Sequence, residues 1–284
     1  MRSTLRATAL ALVGCTTPPS APLGSASAVV APHNSGATPV GSRPSPRRPR
    51  AVQVERGAIT CGRFDDGTVQ CTGHQGSSLP VSMVVAVGGE RACGIGAMGD
   101  VVCLEEGIAT RVAGITQAEV VAVGGDHACA IVSGGELVCW GSNHDGQVGG
   151  GHTAEVIGPV SVLSGVVDVD AGFAHTCAVR ADGSVWCWGY GHYGQVGPAV
   201  RAAASRPTPV RGLRDVVRVE LGTYHSCAIT DDRQVWCWGY GMGGEDLINP
   251  RYREPEHVSA LNRARVLSAG MGSTCGVVGE ENRC

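Results

Sequence analysis

Short apolar runs separated by glycine-rich segments recur along residues 51–284. Runs such as "VVAVGGDHAC", "VVDVDAGFAHTC" and "VVRVELGTYHSC" place aliphatic residues at the spacing of short, half-buried strands and end at turn residues. No stretch shows the three-to-four-residue apolar spacing of a long amphipathic helix. The pattern therefore predicts an all-β domain built from short strands.

The cysteines divide this domain into six repeats. Apart from Cys15 they form six pairs, five of them ten positions apart and the last nine. The first cysteines of successive pairs are 32, 36, 48, 50 and 48 residues apart, and glycine lies five residues ahead of the first cysteine in every pair but the first. Repeats of this length with several short strands per unit predict propeller blades. The pairs are Cys61 with Cys71, Cys93 with Cys103, Cys129 with Cys139, Cys177 with Cys187, Cys227 with Cys237, and Cys275 with Cys284.

The residues inside each pair predict a β-hairpin with its two cysteines facing each other. In the ten-residue pairs this register leaves a three-residue loop, whose third position favours a left-handed residue. The last pair leaves a two-residue loop that starts with glycine, which suits a type II′ turn. Facing cysteines lie near disulfide distance, so we expect six intra-hairpin disulfides in an oxidising compartment. The third loop positions are Gly67, Gly99, Gly135, Gly183 and, as the exception, Arg233.

All five tryptophans flank the second cysteine of a pair. Because side chains alternate along a strand, the sulfurs point to one side of the hairpin and the indoles to the other. We expect the indoles to fill the space between adjacent blades. They are Trp140, Trp186, Trp188, Trp236 and Trp238.

The segments "HACAIVSGGELVCWGSNHDGQVGGG" and "HTCAVRADGSVWCWGYGHYGQVG" resemble the regulator-of-chromosome-condensation repeat family. The resemblance implies a propeller of four-stranded blades, commonly seven, that often serves as a protein-binding platform. Six hairpins are counted here, so six blades or an incomplete seven are expected, with a strand around Ala51–Glu55 closing the last blade. The family includes a nuclear guanine-nucleotide exchange factor and a secreted bacterial inhibitor of β-lactamases, and the paired cysteines look like those of exported bacterial members.

The N-terminal region indicates export. Residues 1–14 have a basic start and a short apolar run, and Leu12-Val13-Gly14-Cys15 resembles a bacterial lipobox in which Cys15 is acylated. An ordinary signal peptide with a chance cysteine is the alternative. Residues 15–50, rich in Pro, Ser and Ala and ending in "RPSPRRPR", are expected to form an extended tether ahead of the propeller at 51–284.

Charge excludes several functions. The whole chain has a formal charge of −3, but all six arginines of residues 1–50 lie outside the propeller, which carries −9. An acidic domain is a poor nucleic-acid binder, so no nucleic-acid partner is expected. The chain contains no lysine, which excludes a Walker A loop and Schiff-base chemistry.

No motif predicts a metal or cofactor. Three His-x-Cys elements, at His127, His175 and His225, contain possible zinc ligands, but they lie in different repeats and their cysteines have partners. The segments "GYGHYG" and "GYGMGG" match a dinucleotide-binding spacing without the strand and helix that such a site needs. We therefore expect structural histidines, no metal and no cofactor.

The candidate binding residues follow the Trp-Gly steps of the third, fourth and fifth repeats, where the connections of neighbouring blades gather on one face. Exposed tyrosines are frequent binding hot spots, although packing within the turns is the alternative role. The candidates are His144, Asp145, Tyr190, His192, Tyr193, Tyr240, Met242 and Tyr252.

Together these features predict an exported, lipid-anchored monomer that binds a protein or a cell-envelope component without catalysis. It would be a lipoprotein of the bacterial outer membrane or cell surface, or otherwise periplasmic or secreted. A hydrolase or lyase with its site on one propeller face is the first alternative. A role like that of the guanine-nucleotide exchange factor is the second.

Overall fold

The computed structural model describes residues 51–56, 60–64, 69–72, 84–240 and 254–284. Within these ranges the chain forms twenty-two strands in six antiparallel sheets and one 3-10 turn, Ser259–Leu261. No helix in the described ranges is long and apolar enough to cross a membrane.

The strands pair in chain order within each sheet. The first sheet contains β1 (Ala51–Arg56), β2 (Thr60–Phe64) and β3 (Val69–Thr72). The second contains β4 (Val84–Gly88), β5 (Arg91–Ile95), β6 (Val101–Glu105) and β7 (Ile108–Arg111). The third contains β8 (Ala118–Val123), β9 (His127–Val132), β10 (Glu136–Gly141) and β11 (Val156–Leu163).

The remaining three sheets repeat this order. The fourth contains β12 (Val166–Ala171), β13 (His175–Arg180), β14 (Val185–Tyr190) and β15 (Ala203–Pro209). The fifth contains β16 (Val216–Leu221), β17 (His225–Thr230), β18 (Val235–Gly239) and β19 (Glu256–His257). The sixth contains β20 (Leu267–Ala269), β21 (Thr274–Val278) and β22 (Glu281–Arg283).

The first strands of the sheets surround a central channel. Each of β1, β4, β8, β12 and β16 contacts the first strand of the next sheet, whereas the fourth strands lie at the periphery. The loops between the first and second strands, and between the third and fourth, emerge on one face. The hairpin turns between the second and third strands emerge on the other. This radial arrangement of meanders is a β-propeller, as the sequence predicts.

Two details of the expected architecture were wrong. Among the described residues four sheets have four strands, while the first and sixth have three, so six or seven four-stranded blades are not observed. Strand β1 pairs with β2 of its own sheet, with Glu55 opposite Cys61, where closure of the last blade was expected. Pairing with the next strand along the chain costs less loop-closure entropy than pairing with the distant sixth sheet.

All six predicted disulfides are present. Facing cysteines pair in the register of the ten-residue hairpins, and the Cα atoms of bonded cysteines lie 4.0–4.1 Å apart in all six pairs. The bonds are Cys61–Cys71, Cys93–Cys103, Cys129–Cys139, Cys177–Cys187, Cys227–Cys237 and Cys275–Cys284.

The disulfides differ in burial. The first five are buried and belong to the apolar clusters of the core, so each sulfur pair packs as a small hydrophobic group within its blade. In the sixth, Cys275 is half-buried and Cys284 is exposed. The bond in the last hairpin is therefore the one most accessible to a reductant in solution.

Trp188 and Trp238 pack between the blades, as predicted for all five tryptophans, whereas the Trp236 ring lies 5.1 Å from that of His257 in its own sheet. Trp188 of the fourth sheet is fully buried against Leu137 and Val148 of the third repeat. Trp238 occupies the same place against Val196 of the fourth repeat. Each of these indoles therefore completes the core of the preceding blade.

The hairpin turns adopt the predicted backbone conformation. Gly99, Gly135 and Gly183 have φ between +74° and +76°, and Arg233 has φ +64°. A left-handed conformation costs a non-glycine residue about 1–2 kcal/mol. Gly67 lies outside the described residues.

We expect Arg233→Gly to stabilise the oxidised protein by about 0.5–1 kcal/mol, because relief of this cost exceeds the added entropy of the unfolded chain. Urea unfolding at constant pH measures the effect. The reverse change, Gly183→Arg, should destabilise, since a Cβ there would lie 2.9 Å from the Asp215 Cα. Equal or lower stability of Arg233→Gly would contradict the assigned strain.

Candidate functional site

A shared carbonyl joins the third blade to the fourth. Trp188 Nε1 donates a hydrogen bond of 2.8 Å to the Gln147 main-chain oxygen, and Thr176 Oγ1 donates one of 2.9 Å to the same atom. The His127 Nε2 lies 2.8 Å from Thr176 Oγ1. Four side chains or main-chain groups from two repeats thus meet in one buried network.

The next interface repeats this network. Ser226 Oγ and Trp238 Nε1 donate to the Gln195 main-chain oxygen at 2.9 and 2.8 Å, and His175 Nε2 lies 2.9 Å from Ser226 Oγ. A third histidine, His225, has its Nε2 2.7 Å from Thr274 Oγ1 of the sixth sheet. The repeated histidine therefore reaches into the following blade.

These contacts assign the histidines a structural role. Because the Thr176 hydroxyl uses its one proton on Gln147, it accepts from His127, which places the ring proton on Nε2. Burial lowers the pKa of His127 and His175 to about 3 and that of His225 to about 4. The three rings are neutral, and the neighbouring cysteines are in disulfides.

In the described part of the chain, no group of three or more His, Cys, Asp and Glu side chains is arranged to hold a metal ion. The sulfurs of the His-x-Cys elements are bonded across their hairpins, in Cys129–Cys139, Cys177–Cys187 and Cys227–Cys237. They are therefore not offered as thiolate ligands.

The repeated glycine before each hairpin allows the blades to meet at the channel. A Cβ on Gly124 would lie 2.4 Å from the Gly172 oxygen, and one on Gly172 would lie 2.5 Å from the Gly222 oxygen. A Cβ on Gly222 would lie 2.4 Å from the Gly270 oxygen. No larger residue fits, because each glycine carbonyl occupies the space that its neighbour's side chain would need.

These glycine loops line the mouth of the channel, a cavity of about 470 Å³. Two exposed apolar side chains stand at its rim, Phe173 with 53% of its surface accessible and Met271 with 82%. The opening is mainly backbone and apolar side chains.

Two carboxylates lie on β12, one of the inner strands that border the channel. Asp168 Oδ2 accepts a hydrogen bond of 2.8 Å from the Val219 N–H, and Asp170 Oδ2 accepts one of 2.6 Å from the Leu221 N–H. Burial raises the pKa of Asp168 to about 6 and also raises that of Asp170, while the backbone hydrogen bonds and Arg218 oppose the shift. These carboxylates link the inner strands β12 and β16.

A cluster of aromatic side chains lies on the same face as the channel mouth. Tyr193 packs edge-on against Tyr224 with ring centroids 5.0 Å apart, and it lies 5.6 Å from Tyr240 and 5.8 Å from Tyr190. The His192 ring lies 4.9 Å from Tyr190. We call this side of the propeller the tyrosine face, defined by these five residues and the loops that emerge beside them.

Partial exposure makes the cluster available to a partner. Tyr193 has 40% of its surface accessible, and His192 is exposed. Partial burial, followed by the neighbouring Tyr193 and Asp145, raises the pKa of Tyr190, so its hydroxyl is protonated at neutral pH.

The structure brings most of the predicted binding residues together. Tyr190, His192, Tyr193 and Tyr240 form the cluster, and Asp145 is close enough to affect the pKa of Tyr190. His144 is exposed on the loop that carries Asp145. Met242 and Tyr252 lie outside the described residues.

Sequence reasoning missed Tyr224. It precedes the hairpin in "GTYHSC" rather than following a Trp-Gly step, but its main-chain oxygen accepts a hydrogen bond of 2.9 Å from the Tyr240 N–H. Its place one residue before the repeated histidine is the signal that locates it on this face.

Two protein-family sequence models match this chain, and both describe the regulator of chromosome condensation (RCC1) repeat. One matches residues 119–147 and 166–195, and the other matches residues 182–229. These segments include most residues of the two complete histidine-to-tryptophan networks described above. A search of curated protein sequences finds no match.

Similar solved structures share the fold. Prp20p from Saccharomyces cerevisiae, described together with its binding to Gsp1p and histones, has a TM-score of 0.68 at 18% identity over 78% of this chain and 67% of that one. Human WBSCR16 has a TM-score of 0.66 at 19% identity over 81% and 73%. The ectodomain of the Arabidopsis thaliana receptor kinase ACR4 has 0.53 at 17% identity over 83% and 80%. The chain thus spans about two thirds of the length of the yeast protein.

Replacing Thr176 by valine should lower the free energy of unfolding by about 1–3 kcal/mol. The substitution preserves shape but leaves the His127 N–H without an acceptor and removes a donor from the Gln147 oxygen. Urea unfolding of the oxidised protein measures the loss. Thr110→Val on the exposed strand β7 is the control and should change stability by less than about 0.5 kcal/mol. Equal effects would contradict the role of the network.

The channel carboxylates should make the protein less stable as pH rises from 5 to 8. A folded-state pKa near 6 for Asp168 means that the native state binds protons that the unfolded chain has lost, so deprotonation disfavours folding by about 1–3 kcal/mol. The double variant with Asp168→Asn and Asp170→Asn should flatten this dependence, because a side-chain amide does not titrate. Each amide oxygen can still accept the hydrogen bond from β16, so the contact between the two strands is kept. Chemical unfolding across this pH range is the measurement, and an unchanged slope in the double variant would contradict the assignment.

Proposed function

We propose that this chain is an exported propeller of RCC1-type repeats that binds a protein or cell-envelope partner through its tyrosine face, without catalysis. The observation that carries the proposal is the cluster of Tyr190, Tyr193, Tyr224 and Tyr240, in which neighbouring ring centroids lie 5.0–6.4 Å apart. Clustered, partly exposed aromatic residues on a rigid scaffold are typical of binding hot spots.

The rigidity of the supporting elements favours binding. The Tyr190 N–H donates a hydrogen bond to the Ala174 oxygen, and the Tyr240 N–H donates one to the Tyr224 oxygen. These bonds hold the main chain of Tyr190 and Tyr240 in place. The rings lose little conformational freedom when a partner binds, because they already pack against one another. Preorganised side chains of this kind raise affinity by lowering the entropy cost of association.

The disulfides support export. Six disulfides in one domain are consistent with an oxidising compartment and not with the bacterial cytosol. Acylation of Cys15 would attach the protein to a membrane, and residues 16–50 would separate the propeller from the lipid surface. The proposed location is the outer membrane or cell surface, with a periplasmic or secreted protein as the alternative.

The raised pKa values of Asp168 and Asp170 favour a second candidate function, a hydrolase or lyase acting in the channel. Against it, both carboxylates accept hydrogen bonds from β16 and connect two blades. A nucleotide-exchange role by analogy with the family is the remaining alternative, and an oxidised, exported protein does not favour it.

A photo-crosslinking amino acid at position 193 of the full chain, expressed in its native cell, tests the proposal. We expect one discrete crosslinked partner from position 193 and none from position 98, where Met98 is exposed on the opposite face. Cys15→Ser should release the protein from the membrane fraction. Failure to crosslink at 193, or the same product from both positions, would contradict a binding role for the tyrosine face.

A further inference from the structure

The loops of the two faces differ in charge. In the described residues, the loops on the tyrosine face carry six carboxylates and one arginine, Arg201. The loops on the opposite face carry six carboxylates and five arginines. The carboxylates of the tyrosine face are Glu90, Glu106, Asp126, Asp145, Glu155 and Glu254.

Internal pairing does not neutralise this charge. Arg91, at the start of β5, forms a salt bridge with Glu105 of β6 and donates a hydrogen bond of 3.0 Å to the Asp126 main-chain oxygen. Among the described residues, none of the six loop carboxylates of the tyrosine face takes part in a salt bridge. The face therefore presents negative potential around its aromatic cluster.

The carboxylates and the tyrosines are adjacent. Asp145, on the loop after β10, interacts electrostatically with Tyr190, and Asp126 and Phe173 lie on neighbouring loops at the channel mouth. An aromatic face attracts a cation, and a nearby carboxylate adds a charge-assisted hydrogen bond. The aliphatic part of a long cationic side chain can also cover Phe173 while its charged end reaches a carboxylate.

We propose that the partner contacts the tyrosine face with a cationic, arginine- or lysine-rich segment whose charged groups stack on Tyr190 and Tyr193 and pair with Asp126 and Asp145. This inference rests on the proposed binding function and specifies the chemistry of its partner. Charge complementarity selects a basic segment over an acidic one, and the aromatic cluster favours planar guanidinium groups. The opposite face, with nearly balanced charge, lacks this preference.

A fluorescent decapeptide of alternating arginine and glycine is the probe, with a glutamate-glycine peptide of the same length as its counterpart. We expect fluorescence anisotropy to detect binding of the arginine peptide to the oxidised full chain and none of the glutamate peptide. Raising NaCl from about 50 to about 500 mM should weaken the complex at least tenfold, because exposed charges are screened. No binding of the arginine peptide at low salt would overturn the proposal.

Matched variants separate this site from general attraction to an acidic protein. The double variant with Asp126→Asn and Asp145→Asn should weaken binding at least fivefold. The double variant with Asp231→Asn and Glu280→Gln, which removes two exposed carboxylates from the opposite face, should weaken it less than twofold. Equal losses in the two charge variants would overturn the proposal.

Substitutions at position 193 test the aromatic contact. Tyr193→Ala and Tyr193→Arg should each weaken binding of the arginine peptide at least fivefold, because the first removes the ring and the second adds a like charge. Tyr193→Phe, which keeps the ring, and Met98→Ala on the opposite face should leave binding within twofold. Undiminished binding by Tyr193→Ala would refute stacking on this cluster.

The native partner provides an independent check. The peptide crosslinked to position 193 is sequenced by mass spectrometry, and a segment rich in arginine or lysine supports the proposal. A neutral or acidic segment would refute the basic-partner inference while leaving the binding function in place. Absence of any crosslink from position 193 would instead remove the binding function itself.

Discussion

Close approach of backbone at the central channel determines how the blades assemble. From one sheet to the next, a glycine carbonyl oxygen occupies the space that a side chain on the preceding sheet's glycine would need. A Cβ would lie only 2.1–2.5 Å from that oxygen at each of Gly88, Gly124, Gly172 and Gly222. In each complete repeat the Nδ1 side of the histidine ring packs against this glycine. The Nε2 atom of the same ring reaches the Thr176 or Ser226 hydroxyl of the following blade. Loops held together in this way place the tyrosines of neighbouring repeats within contact of each other. The tyrosine face is therefore a consequence of the glycine packing beneath it.

The features predicted correctly from the sequence are local along the chain. Hairpin register, disulfide pairing such as Cys177–Cys187 and the left-handed turn at Gly183 depend on residues within about ten positions, and cysteine spacing with turn chemistry specifies them. The position of the indoles also follows from alternation along one strand. Such regularities need no knowledge of the neighbouring blade.

The features that were missed depend on residues far apart in the chain. The hydrogen bonds from Thr176 and Trp188 to the Gln147 carbonyl form only after two blades pack together. The same is true of the ring contact between Tyr224 and Tyr193. The pairing of β1 with β2 was missed because a short strand of alternating apolar and polar residues has the same sequence pattern whichever sheet it joins. A repeat pattern identifies the unit, and the chemistry between units becomes visible only in three dimensions.

The position of the disulfides has a mechanical consequence. Each of the six joins two segments of the same hairpin and none of them joins one blade to another, so an applied force can detach a blade while its covalent bond stays intact. In repeats of 48–50 residues the ten-residue span from the first cysteine to the second cannot extend. The contour length released per blade would be about 130 Å instead of about 170 Å for a chain that extends fully. A propeller built in this way would lengthen in short, separate steps under tension and keep a closed hairpin loop at every step.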